Sequence, residues 1–83
     1  MYRLEISSTA HHQIRHLPPK NQERVNTAIS KLTDNPRPSG VEKLKVIDGY
    51  RIRVGDLRIL YDIDDSMQTV VIYRVLPREN VYR

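Results

Sequence analysis

Apolar and polar positions alternate at the start of the chain. Tyr2, Leu4 and Ile6 are separated by Arg3, Glu5 and Ser7, and a period of two predicts a short strand with one buried face. The period then lengthens. Ala10, Ile14 and Leu17 recur at helical spacing, and Ser7, Ser8 or Thr9 can cap the helix they predict. Pro18-Pro19 stops that helix, and the second proline fits the first turn of the next one. Val25, Ala28, Ile29 and Leu32 fall at i, i+3, i+4 and i+7, the clearest helical repeat in the chain. It ends at Asp34-Asn35-Pro36, because a residue before proline avoids the α region. Two helices with so short a link form an antiparallel hairpin.

Arg37 to Glu42 holds Pro38, Ser39 and Gly40 and is read as a loop. The alternation then returns. Tyr50 to Val54 is a strand, Gly55-Asp56 a two-residue hairpin turn, and Leu57 to Ile63 the next strand. Asp64-Asp65-Ser66-Met67 is a second turn. Gln68 to Leu76 is a strand apolar on both faces and therefore central, ended by Pro77, with Arg78 to Arg83 as a tail. The order βααβββ predicts an α+β fold, with a helical hairpin packed on one face of a mostly antiparallel four-stranded sheet. The chain shows no repeat and no linker, so residues 1–83 are expected to form a single domain.

Composition adds charge to this frame. Formal net charge is +4 over 83 residues, and ten of the fourteen basic residues are arginine. Arginine stays charged at any working pH and grips phosphate through two parallel hydrogen bonds, so the balance favours nucleic acid or another acidic partner. Cysteine is absent, which excludes disulfides and thiolate chemistry. No apolar run approaches the roughly 20 residues that cross a bilayer, and no apolar segment follows the N-terminal charge as in a signal peptide. A cytoplasmic protein without membrane contact is expected.

Alternation also sorts the arginines. Tyr50, Ile52 and Val54 share one face of their strand, leaving Arg51 and Arg53 on the other, and Arg58 lies opposite Leu57, Ile59 and Tyr61. The tight turn should make Arg51, Arg53 and Arg58 converge on the face away from the helices. Like charges side by side on a sheet are unfavourable. Either phosphate relieves them, or the face is merely solvated and neutralised by Asp56, Asp62 and nearby acids. Arg78 and Tyr82 follow the last strand, where the phenol can orient a hydroxyl, stack on a base, or simply cover core. Lys43 and Lys45 are peripheral phosphate contacts or solubilising charge. His12 and His16 stand at i and i+4, with His11 beside them. With no cysteine or acid at ligand spacing they are read as a solvated helix face, and neither a metal nor a cofactor is expected. The chain has no glycine-rich phosphate loop, no nucleophile elbow and no Ser-His-Asp arrangement.

The string from Tyr50 to Ile63, YRIRVGDLRILYDI, resembles the central signature of the RelE/ParE toxin superfamily. The stretch from Leu32 to Leu44, with Asn35-Pro36, Gly40 and Lys43-Leu44, is similar to that family's connector. The resemblance covers nearly the whole chain and implies the βααβββ fold. RelE-type members are ribosome-dependent mRNA endonucleases, whereas ParE-type members inhibit DNA gyrase. Arg78 and Tyr82 resemble the arginine–tyrosine pair that marks the nucleases. The resemblance therefore implies RNA cleavage without a cofactor by Arg51, Arg53, Arg58, Arg78 and Tyr82, with Lys43 and Lys45 toward RNA or ribosome. It also implies ribosome and message as partners and a RelB-like antitoxin, with gyrase the alternative target. The best-known RelE proteins carry lysines where this chain has Arg51 and Arg53. Arginine clamps charge but is a poor general base.

Overall fold

The structure is a computed structural model that describes residues 1–44 and 49–77. The first helix, α1 (Ser8–Arg15), starts where Ser7 is extended and its Oγ accepts the Ala10 N–H at 3.0 Å, an N-cap that satisfies one of the helix's free donors. It buries Ala10 and Ile14. Leu17 lies beyond its end but still packs against the core. Pro19 opens α2 (Pro19–Asp34), which buries Val25, Ile29 and Leu32. Asn35 is extended (φ −142°), as the following Pro36 requires.

The strands are β1 (Arg3–Ile6), β2 (Glu42–Lys43), β3 (Tyr50–Val54), β4 (Leu57–Asp64) and β5 (Thr69–Pro77). They form a five-stranded sheet in the order β1-β5-β4-β3-β2, one strand more than the four that the sequence pattern predicts. The extra strand begins at Glu42, at the end of the expected loop. At two residues it is too short to carry a readable period. β1 pairs parallel with β5, and every other pairing is antiparallel.

β4 and β5 are interior strands. Ile59, Tyr61, Val70 and Ile72 are completely buried, and they meet Ala10, Ile14, Val25, Ile29 and Leu32 from the hairpin. At the edge, β1 is less well covered than its alternation suggests, and Leu4 remains 38% exposed.

Two details fix the geometry of the opposite face. The register of β4 with β5 slips by one residue, from Leu60↔Arg74 to Tyr61↔Ile72, which leaves Tyr73 as a bulge. Where β1 stops, α1 takes over the free edge of β5. The Ser7 hydroxyl donates to the Tyr73 carbonyl at 2.8 Å, and the Val75 N–H donates to Gln13 Oε1 at 2.7 Å. Backbone groups that lack a strand partner are thus satisfied by helix side chains. The connector after α2 is held in the same way. The buried Tyr61 hydroxyl donates to the Pro36 carbonyl at 2.7 Å, and Arg37 pairs with Asp65 at 2.9 Å.

Candidate functional site on the sheet face

β3 and β4 are joined by Gly55-Asp56, and Gly55 takes φ +59°, a value that suits glycine at the first position of such a turn. This turn sets Arg53 directly opposite Arg58 and Arg51 opposite Leu60. Their neighbours Ile52, Leu57 and Ile59 are buried beneath the helices, so the arginines occupy the other face. Arg53 is exposed, Arg51 half-buried, and Arg58 only 2% exposed. Among the described residues, Arg58 hydrogen-bonds through Nη1 to its neighbour's carbonyl, Leu57 O, at 3.1 Å. A guanidinium has five N–H donors, and a buried cation is costly without an anion.

Among the described residues the anion paired with an arginine of this face is Glu42, on Arg51. β2 sets it opposite Arg51, and its Oε2 accepts from Arg51 Nη2 at 2.9 Å. The hydrogen bond and charge of Arg51, reinforced by the fields of Arg53 and Arg58, hold the Glu42 carboxyl below the usual carboxylate range. At neutral pH it is therefore an ionised proton acceptor set against the arginines, which themselves cannot accept a proton.

Register and burial together add Arg74. Arg74 lies opposite Leu60, so Arg51, Leu60 and Arg74 form one row across the sheet, and Arg53, Arg58 and Leu76 form the next. Arg74 is exposed and makes no ion pair among the described residues. Neither Glu42 nor Arg74 was legible as a site residue. Strict alternation groups Arg74 with Val70 and Ile72 on the helix side, and it is the bulge at Tyr73 that turns it over. Glu42 had no periodic signal at all.

Other sequence candidates are placed elsewhere. Lys43 faces the helix side with Tyr50, its Nζ 5.4 Å from the ring centroid, apart from the arginines. Of the neutralising acids expected, Asp56, Asp62 and others nearby, it is the nearby Glu42 whose carboxylate pairs with an arginine of this face among the described residues. Asp62 accepts from the Ile63 N–H instead. His16 Nδ1 bonds the His12 carbonyl at 2.8 Å, and both histidines are exposed. Among the described residues no three His, Cys, Asp or Glu side chains cluster. Lys45, Arg78 and Tyr82 lie outside the described residues.

A helical hairpin on a mixed sheet whose far face carries arginines defines a class of small basic α+β domains. Residues 4–82 match the family described as the ParE toxin of type II toxin-antitoxin systems, parDE, and the chain belongs to this RelE/ParE family of toxins. Its sequence is 34% identical to toxin RelG of Mycobacterium tuberculosis over 84 residues, covering 99% of this chain and 97% of that one. The RelE-RelB complex of the archaeon Pyrococcus horikoshii contains a chain of the same fold, with TM-score 0.84 and 28% identity, covering 93% of this chain and 94% of that one. The toxin-antitoxin complex RelBE2 of M. tuberculosis gives TM-score 0.82 and 31% identity, with 93% and 98% covered. The protein is thus a type II toxin of this family, and among the described residues no helix is long and apolar enough to cross a membrane.

Proposed function

We propose that the protein is a RelE-type toxin that cleaves messenger RNA held in the ribosome and is neutralised by a cognate RelB-like antitoxin. The observation that carries this reading is the Arg53–Arg58 pair across β3 and β4, with Arg51 and its carboxylate partner Glu42 alongside. The similarity to chains found in complexes with RelB supports the antitoxin.

In this reading the 2′-hydroxyl of the nucleotide is the nucleophile. Its oxygen bonds to the adjacent phosphorus and its proton passes to Glu42. The bond from phosphorus to the 5′-oxygen breaks, that oxygen takes a proton from solvent water, and a 2′,3′-cyclic phosphate remains. Arg53 and Arg58 hold the phosphorane oxygens as their charge grows. Each donor of this kind contributes about 10²–10³ in rate. Arg78 and Tyr82, which the resemblance assigns to the activity, bind the scissile phosphate or the leaving side and position the hydroxyl. Much of the remaining acceleration comes from orientation, which can supply about 7–11 kcal/mol. This suits an enzyme whose substrate is positioned by the ribosome.

Primer-extension mapping of a translated message tests the reading. The wild type should cut within the decoding site. Arg58→Met, which keeps bulk and removes charge, should cut about 10²–10³-fold more slowly. An uncut message together with stoichiometric inhibition of gyrase supercoiling would establish the ParE-type reading instead. Salt-sensitive RNA binding without cleavage would leave a plain RNA-binding module.

A further inference from the structure

We infer that the sheet face holds a second phosphate subsite, built by Arg74 with Arg51, for the phosphodiester adjoining the scissile one in single-stranded RNA. The inference rests on the nuclease reading and extends it to a residue the family resemblance does not bring in.

The row Arg53–Arg58–Leu76 and the row Arg51–Leu60–Arg74 are separated by two residues along each strand, about 6.6–6.8 Å. That is roughly one step of an extended nucleotide chain. Within the second row, Arg51 and Arg74 flank Leu60 from the two neighbouring strands, about 9–10 Å apart at Cα. Arg74 can reach over the half-buried leucine, while the Arg51 guanidinium holds its hydrogen bond to Glu42 on the β2 side, and a ribose or base can rest on the leucine's apolar side chain.

The row is also built rather than incidental. The bulge that turns Arg74 onto this face sits where α1 holds the strand, through Ser7 on the Tyr73 carbonyl and Gln13 on the Val75 N–H. Arg51 is shared with Glu42 at 2.9 Å, whereas Arg74 is exposed and has no ion pair among the described residues. Within this row, among the described residues, Arg74 is therefore the exposed cation that an incoming phosphate can reach. A subsite away from the reacting phosphorus holds ground state and transition state equally, so it governs binding rather than the limiting rate.

The test has two arms, each with wild type, Arg74→Gln and Arg74→Lys. The first is single-turnover cleavage on programmed ribosomes at increasing toxin concentration. Arg74→Gln should raise the half-saturating concentration about tenfold, as loss of one charge-assisted contact predicts, with the limiting rate within about twofold of wild type. The second arm measures affinity for a single-stranded RNA carrying 2′-deoxyribose at the cut position, as a function of potassium chloride. The plot of log K against log salt should flatten by about 0.7 for Arg74→Gln, while Arg74→Lys keeps the wild-type slope. A wild-type half-saturation and slope in Arg74→Gln would overturn the subsite, as would a fall in limiting rate alone. Failure of the wild type to cut would overturn the nuclease reading, and the slope would still decide whether Arg74 holds a phosphate.

Discussion

At the scale of single residues, the arginine face faces an acid–base problem. Arg51, Arg53 and Arg58 can bind an anion but cannot take a proton. In the proposed cleavage Glu42 takes the proton, because Arg51 keeps the carboxylate ionised and within 2.9 Å. Glu42→Gln should retain message binding and slow cleavage by about 10²–10⁴, the usual contribution of a positioned base. Single-turnover rates at saturating toxin would show it, and an unchanged rate would remove Glu42 from the mechanism. The lowered Glu42 pKa also means that its ionised form persists below the ordinary glutamate range near 4.3.

At the scale of elements, the site depends on short segments held by specific hydrogen bonds. β2 carries Glu42 on a connector whose Pro36 carbonyl is bonded by the Tyr61 hydroxyl. Burial pushes that phenol up to about 12, so it stays a neutral donor throughout the working pH range. Tyr61→Phe leaves the carbonyl unsatisfied and should cost about 1–2 kcal/mol, lowering Tm by roughly 5–15 °C for a domain of this size. Urea denaturation with an unchanged midpoint would contradict it. The same elements show what was legible beforehand. The helical period of Val25, Ala28, Ile29 and Leu32 and the alternation of Tyr50 to Val54 each report burial directly, so the hairpin and the meander could be read. A two-residue strand offers no period, and a bulge reverses one. Glu42 and Arg74 depend on those two features and emerged only from the register of the sheet. The parallel β1–β5 pairing joins the two ends of the chain and has no local signature.

At the scale of the whole molecule, a net charge of +4 is spread unevenly. Arg53 belongs both to the arginine face and to a groove of about 650 Å³ beside α2, which is also lined by Lys20, Arg24 and Lys31. In the proposed function these cations, with Glu23 set among them, would raise encounter rates with RNA. Stability has its own pH dependence. Asp65, bonded by Arg37 and Tyr2, Asp64, bonded by Met67 and Ser66, and Glu42 all titrate lower in the fold than in an unfolded chain. Each therefore stabilises the fold above the unfolded values near 3.9–4.3, and that contribution is lost as pH falls through the folded ones. Thermal melts should be flat from about pH 8 to 5 and decline below about pH 4. Asp65→Asn should shallow that decline, and an unaltered slope would mean that Asp65 is not one of its sources.

In the proposed mechanism this face cuts RNA through the substrate's own 2′-hydroxyl. The most direct measurement places a single 2′-deoxynucleotide at the mapped cut position of a ribosome-bound message. Cleavage should stop there, and the unmodified message should end in a 2′,3′-cyclic phosphate. Cleavage at an undiminished rate 3′ of the deoxynucleotide would contradict it.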